Sequence, residues 1–220
     1  SPFAVGHKAL ERLWDNPVWV EEKIDGSQFS FRREGDALLA RAHKQDLTVF
    51  THEPEHAGMF KLALESALRI LPALNDGWTY RSEFLAKPKH NTLEYGRVPK
   101  SNIILFDIAR GLEDYLSPQE AAAEATRLGL EFVPVLQHLQ SKPTLEDLTA
   151  MLERDSILGK QKVEGIVLKN YSQFGPDKKV LMAKLVRRDF VEENRENWRV
   201  ARASPVEALI SRYGTEARWA

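Results

Sequence analysis

The first part of the chain alternates apolar and polar residues in short runs, which is the period-two pattern of strands with one buried face. Three such runs, 18–24, 29–33 and 37–42, are separated by Asp25-Gly26 and Gly35-Asp36. Because Asp-Gly and Gly-Asp pairs favour tight turns, the pattern predicts three antiparallel strands joined by two turns. Lys23 is expected at the end of the first strand.

The rest of the chain mixes helical and extended patterns. Helical spacing of apolar residues is found at 7–15 and 54–71, and extended runs are found at 78–84, 103–108, 163–169 and 180–185. Three further helices are predicted to begin at Ser117, Thr144 and Ser204, because each of these residues is followed three positions later by an acidic residue. The predicted fold class is α+β, with mainly antiparallel sheets flanked by helices.

Composition places the chain among ordinary soluble globular proteins. It has 220 residues, of which 43% are hydrophobic and 29% charged. It has no cysteine, which excludes disulfides, thiolate zinc sites and thiol nucleophiles. No apolar run is long enough to cross a membrane, so we expect a cytoplasmic protein without a membrane partner. We expect one domain over residues 1–200 and a C-terminal helical extension over 201–220.

The net charge of −1 hides an uneven distribution along the chain. Between residues 111 and 155, nine acidic residues face three basic ones, which is typical of a solvated surface. Between 160 and 199, ten basic residues face six acidic ones. The second stretch would suit a surface that faces phosphates. Scattered solubilising charge explains the same counts equally well.

The residues Lys23-Ile24-Asp25-Gly26 form the sharpest local motif, a lysine at a strand end followed by a turn. By itself the motif is weak, because a surface lysine before a hairpin turn has the same pattern. Later in the chain, Glu83, Glu164 and Lys184 each place a charge within an apolar extended run. A charge in such a position needs a partner or a ligand.

These motifs, in this order, resemble those of the covalent nucleotidyltransferases, the superfamily of polynucleotide ligases and messenger-RNA capping enzymes. The resemblance is closest to the RNA ligase 2 family and covers nearly the whole chain. The matching positions are Lys23-Ile24-Asp25-Gly26 (motif I), Arg41 (Ia), Glu83 (III), Phe106-Asp107 (IIIa), Glu164 with Gly165 and Lys169 (IV), and Lys184 (V).

Two details qualify the resemblance. Ser27-Gln28-Phe29-Ser30 is similar to the Ser/Thr-Asn-Phe-Ser of RNA ligases, whereas DNA ligases and capping enzymes usually have an arginine two residues after the motif I glycine. This difference favours RNA. In motif V the family commonly has Lys-x-Lys, and here Met182 occupies the first lysine position.

The resemblance implies an ATP-dependent RNA ligase in which Lys23 attacks ATP and carries AMP, with Mg²⁺ or Mn²⁺ as the metal. Only the neutral amine can attack, and we expect Lys184 and the metal to favour that form. AMP would then pass to an RNA 5′-phosphate, and a 3′-hydroxyl would displace it. The implied substrate is RNA with such ends, in a nicked duplex or a broken strand, which suggests RNA repair by a monomer.

The resemblance also implies roles for individual residues. The implied nucleotide-binding residues are Glu22, Ile24, Gln28, Arg41, Glu83, Phe106, Glu164, Lys169 and Lys184. Phe106 would stack on adenine and Glu83 would bind a ribose hydroxyl, although Phe106 is equally an ordinary core residue and Glu83 a partner for Arg81. Arg41 and Lys169 would bind phosphate, and Glu164 is the metal candidate.

Three alternatives stay open from the sequence. Two are related enzymes, a DNA-nick ligase and a capping-type guanylyltransferase. The third is a module that binds nucleic-acid ends without ligating them, which Met182 makes conceivable.

Overall fold

The structure, a computed structural model, describes residues 12–42, 45–47, 54–175 and 178–187. These residues form two compact units, the first containing 12–24 and 134–187 and the second containing 25–133. The strands are β1 (Val18–Lys23), β2 (Ser27–Glu34), β3 (Ala37–Ala42), β4 (Gln45–Asp46), β5 (Thr79–Phe84), β6 (Ile103–Gly111), β7 (Asp114–Tyr115), β8 (Glu131–Phe132), β9 (Val135–Leu139), β10 (Gly165–Phe174) and β11 (Val180–Val186). The helices are α1 (Lys61–Ile70), α2 (Pro118–Arg127) and α3 (Leu145–Met151), with 3₁₀ turns at Pro54–Phe60, Leu71–Ala73 and Lys100–Asn102.

The first unit is built on a four-stranded antiparallel sheet with the order β11-β10-β1-β9. Its alternating residues Val18 and Val20 of β1 face the same core as Ile166 and Leu168 of β10. Helix α3 adds Leu148 and Met151 to that core. The alternate residues of each strand, including Lys23, project to the opposite face of the sheet.

The second unit has a seven-stranded sheet with the order β4-β3-β2-β5-β6-β7, and β8 runs parallel to β6. Its core is aromatic: Phe31 stacks on Tyr80, with ring centroids 5.4 Å apart. Phe29 and Phe84 lie in the same core, and helix α1 packs against it through buried residues that include Leu64. The fold is α+β with mainly antiparallel sheets, as the pattern predicted.

Of the two predicted hairpin turns, Gly35-Asp36 is confirmed and Asp25-Gly26 is wrong. The Gly35-Asp36 turn joins the antiparallel strands β2 and β3, and Gly35 has the positive φ of 58° that such a turn favours. Asp25-Gly26, in contrast, does not close a hairpin. Strand β1 pairs with β10 and β9 of the first unit, whereas β2 pairs with β3 and β5 of the second. Asp25-Gly26 therefore carries the chain from one sheet to the other.

The predicted helix starts are confirmed where the structure describes them. Ser117 and Thr144 both form capping boxes, in which the hydroxyl accepts a backbone N–H three residues later. Ser204 and the extension over 201–220 lie outside the described residues, as does most of the predicted helix over 7–15. Strand β9 is an element that the sequence pattern did not predict. None of the described helices has the length and apolar character needed to cross a membrane.

Candidate functional site

The first unit places Lys23 at the C-terminal end of β1, where its amine meets a carboxylate. Lys23 Nζ donates to both carboxylate oxygens of Glu164, at 2.9 Å and 2.7 Å. The two side chains are 22% and 13% exposed, so the pair is partly buried and still open to solvent. The nucleophile candidate and the metal candidate, which are 141 residues apart in the sequence, thus lie in direct contact.

Gly165, the residue after Glu164, allows β10 and β11 to lie unusually close together. It lies directly opposite Lys23 in the β1–β10 ladder and opposite Val186 in the β10–β11 ladder. A Cβ atom at this position would lie 2.3 Å from the carbonyl oxygen of Leu185 and 3.0 Å from the Cα of Val186. Only glycine lets β11 approach β10 this closely.

We therefore expect Gly165→Ala to lower the free energy of unfolding by about 2–3 kcal/mol, because β11 must move away from β10. The measurement is urea denaturation followed by circular dichroism. Gly111→Ala is the matched control, since nothing lies within 4 Å of a Cβ built at that strand glycine. Equal stability of the two variants would contradict the close approach of β10 and β11.

The remaining sites predicted in this unit divide between the two faces of the sheet. Lys184 lies opposite Val167, two residues along β10 from Gly165, so it projects to the same face as Lys23. Lys169 is on this face too, but it is only 1% exposed and forms an ion pair with Glu21. The sequence predicted a phosphate ligand at Lys169, whereas the structure pairs Lys169 with the Glu21 carboxylate.

Glu22 projects to the opposite face, toward the core. Its Oε2 accepts the backbone N–H of Ile157 at 3.0 Å, and only 2% of the residue is exposed. Burial raises the pKa of the Glu22 carboxyl, against hydrogen bonds from Ser156 and Ile157 that lower it. The Ile24 side chain is also buried. A nucleotide could meet these two residues only through their backbone.

The second unit gathers its predicted residues on the outer face of its sheet. Gln28 lies directly opposite Glu83, and Ser30 of the same strand lies opposite Arg41. Gln28 and Ser30 are two positions apart, so all of these side chains share one face. Gly26 of motif I is packed against Glu83, since a Cβ there would lie 3.0 Å from the Glu83 Oε2. Arg41 is exposed.

Phe106 occupies a bulge in this sheet. Asp107 pairs with Arg81 and Leu105 pairs with Ser82, so Phe106 is the extra residue between them. Its neighbours Leu105 and Asp107 are buried, whereas Phe106 is only partly buried and does not belong to the hydrophobic core of the unit. Bulges often redirect a side chain. This position favours a ligand-facing role for Phe106 over that of a core residue.

Comparison with known protein families shows which family the chain belongs to. Residues 16–186 match the RNA ligase family. The chain belongs to the RNA ligase family. No curated protein matches it in sequence.

Solved structures agree with this RNA ligase assignment at the level of the fold. Naegleria gruberi RNA ligase with pyrophosphate matches with a TM-score of 0.60 and 19% identity, over 89% of this chain and 57% of that one. A variant of the same protein with ATP and Mn matches with a TM-score of 0.60 and 18% identity, over 89% and 58%. A variant with AMP and Mn gives a TM-score of 0.58 and 18% identity, over 89% and 57%. The chain spans less than three fifths of the length of those proteins.

The structure also shows a role for Asp25, which the sequence did not single out as a site residue. Its Oδ2 accepts the backbone N–H groups of Thr92 and Leu93, both at 2.8 Å. The Asp25 N–H donates to the hydroxyl of Tyr95 at 2.8 Å, and the Asn91 amide donates to the carbonyl of Gly26 at 2.7 Å. The motif I aspartate therefore fastens the loop after β5 to the motif I turn. An aspartate before a turn glycine is the only sequence signal of this role.

His90 makes a second connection, between this loop and Ser27, the residue that follows motif I. Its Nδ1 accepts the backbone N–H of Ala86 at 3.1 Å, so Nε2 carries the proton and donates to the Ser27 hydroxyl at 2.9 Å. Burial lowers the pKa of His90 below its ordinary value of 6.5, and Lys87 lowers it further, while Asp25 opposes both. The imidazole is therefore neutral at pH 7.

We expect the chain to lose stability as the pH falls below 6.5, because the imidazolium cannot accept the Ala86 N–H. The folded chain binds the His90 proton less readily than the unfolded chain, so this contribution is complete above that pH and is lost below it. The melting temperature should fall by about 2 °C or more between pH 7.5 and pH 5.5. In His90→Gln the drop should be smaller. A drop in His90→Gln equal to that of the wild type would contradict this role of His90.

Proposed function

We propose that this chain is the adenylating part of an ATP-dependent RNA ligase, with Lys23 as the residue that carries AMP. The observation that supports this most directly is the partly exposed Lys23 amine held by Glu164 at 2.7 Å. In the proposed reaction the Lys23 nitrogen forms a bond to the α-phosphorus of ATP. The bond from that phosphorus to the bridging oxygen breaks, and pyrophosphate leaves.

Glu164 would have two roles toward the Lys23 amine. Before the reaction its carboxylate stabilises the Lys23 ammonium. The ammonium proton must leave before or as the nitrogen–phosphorus bond forms, and Glu164, which is in hydrogen-bond contact with Nζ, would accept it. Lys184, on the same face of the sheet, adds a positive charge that disfavours a second ammonium and attracts phosphate.

A divalent metal fits the same carboxylate. Among the described residues, no group of three or more His, Cys, Asp or Glu side chains forms a ready-made metal cage. Mg²⁺ keeps several of its waters and binds through one or two carboxylates together with substrate phosphates, so the single carboxylate of Glu164 suits it. When bound, the metal would neutralise charge on the triphosphate. The solved RNA ligase structures with ATP and Mn, and with AMP and Mn, support this use of nucleotide and metal.

The outer face of the second unit would bind the nucleoside. Glu83 would accept a hydrogen bond from a ribose hydroxyl, and Gln28, which lies directly opposite Glu83, would contact the same ribose. Phe106, redirected by its bulge, would stack on adenine. The exposed Arg41 would contact phosphate.

Family membership supports RNA as the substrate of the later steps. The 5′-phosphate of RNA would attack the phosphorus of the Lys23-bound AMP, which releases the lysine and forms an adenylated RNA end. A 3′-hydroxyl would then displace AMP and form the phosphodiester bond. These steps require RNA with a 5′-phosphate and a 3′-hydroxyl, at a nick or at a break.

The test is to incubate the chain with α-labelled ATP or GTP and Mg²⁺ or Mn²⁺, and to measure the label that stays on the denatured protein. We expect label from ATP and not from GTP. Adding RNA with a 5′-phosphate should move the label to the RNA, whereas transfer only to nicked DNA would indicate a DNA ligase. Label from GTP alone would favour a capping-type enzyme. No label with either nucleotide would refute the proposal and leave a module that binds nucleic-acid ends.

A further inference from the structure

Lys169 occupies an unusual position for a phosphate ligand. Its side chain is 2% exposed, that of Glu21 is 1% exposed, and Lys169 Nζ lies 2.7 Å from Glu21 Oε2. The hydroxyl of Tyr171 donates to the other oxygen of Glu21 at 3.2 Å and lies 3.5 Å from Lys169 Nζ. The Lys169 ammonium is thus already paired with a buried carboxylate.

The pair lies on the face of the sheet that carries the nucleophile. Trp19 lies directly opposite Lys169, and Glu21 is two residues farther along β1, so the ion pair is a diagonal contact between β1 and β10. Lys23 is the next residue of β1 on this face, opposite Gly165. The pair therefore joins the two strands that bring Lys23 and Glu164 together.

We propose that Lys169 is a positioning residue: its buried ion pair with Glu21 holds β1 against β10 so that Lys23 meets Glu164. Met182, the residue of β11 directly opposite Lys169, adds no second charge to the buried pair. The proposal rests on the proposed function, because it assigns Lys169 to the placement of the adenylated lysine and not to phosphate binding.

Buried ion pairs make a sharp prediction about single and double substitutions. Removing one partner leaves an uncompensated buried charge, whereas replacing both with apolar residues of similar volume is tolerated. We therefore compare Lys169→Met, Glu21→Leu and the double variant. If Lys169 binds phosphate, the second substitution cannot restore the lost ligand. If Lys169 positions the strands, the second substitution removes the uncompensated buried charge, and β1 can pack against β10 again.

The experiment measures the formation of Lys23-AMP at several ATP concentrations, at a temperature where melting curves show every variant folded. We expect each single variant to lower the maximal rate by about 10–100-fold while the KM for ATP changes little, because a small displacement of the nucleophile slows attack. The double variant should recover to within about fivefold of the wild type. Lys162→Met breaks an exposed ion pair of the same 2.7 Å length in the same unit and should keep the wild-type rate.

Other outcomes overturn the assignment in distinguishable ways. A raised KM for ATP in Lys169→Met, with no recovery in the double variant, would make Lys169 a phosphate ligand. Lower melting temperatures with unchanged rates in the folded variants would leave the pair a role in stability alone. If the single variants do not fold, a folded double variant with a rate near that of the wild type still supports positioning, and a folded double variant without activity refutes it. A wild-type chain that takes no label refutes the proposed function itself.

Discussion

Lys23→Arg is expected to take no label from α-labelled ATP, a loss of at least about three orders of magnitude relative to the wild type. Arginine keeps the positive charge and can pair with both oxygens of Glu164, as Lys23 does at 2.9 Å and 2.7 Å. Its guanidinium stays protonated in proteins and does not act as a nucleophile. The variant therefore removes the proposed chemistry while it preserves the ion pair.

The measurement is label retained on the denatured chain, together with a melting curve that shows Lys23→Arg to be folded. Lys162→Arg, at an exposed lysine of the same unit, is the matched control and should label like the wild type. Label in Lys23→Arg at the level of that control would show that another residue carries AMP.

Glu164→Gln is expected to slow the formation of Lys23-AMP by about 10²-fold, the cost typical of removing one preorganised electrostatic group from an active site. Glutamine can still accept a hydrogen bond from Lys23, but it cannot take the proton or hold a divalent cation. The loss should persist at saturating ATP and should not be recovered by raising the Mn²⁺ concentration.

The rate of labelling in a single turnover measures this effect. Glu153→Gln is the control, because Glu153 lies in the same unit and is 65% exposed. Equal rates for Glu164→Gln and Glu153→Gln would remove Glu164 from the reaction and leave its contact with Lys23 a structural one.

Most individual strands could be predicted from the sequence because their signals are local. The run 37–42 is β3 (Ala37–Ala42), and the run 103–108 lies within β6 (Ile103–Gly111). Strand β9 was not predicted, because its residues Val135–Leu139 are mostly exposed at a sheet edge and show little alternation between buried and exposed positions. A local pattern carries little information about such an edge.

Which strands would pair was less predictable. Three neighbouring extended runs separated by turn residues indicate a three-stranded meander, yet β1 pairs with β9 and β10, far along the chain. Asp25-Gly26 has the composition of a turn, but it does not close a hairpin. The Asp25 carboxylate instead accepts the backbone N–H groups of Thr92 and Leu93. Turn propensity describes a few adjacent residues and says nothing about the partner of the strand before them.

By itself the sequence determined the α+β class and the order of the motifs, because both depend on residue type and short-range spacing. The resemblance of those motifs to the nucleotidyltransferases implied Lys23 as the nucleophile candidate. The tertiary structure decided that Glu164 is the partner of Lys23, that Lys169 is buried against Glu21, and that His90 contacts Ser27. These contacts join residues far apart in the chain, 141 positions in the case of Lys23 and Glu164. Their partners are set by strand register and burial, which only the folded chain defines.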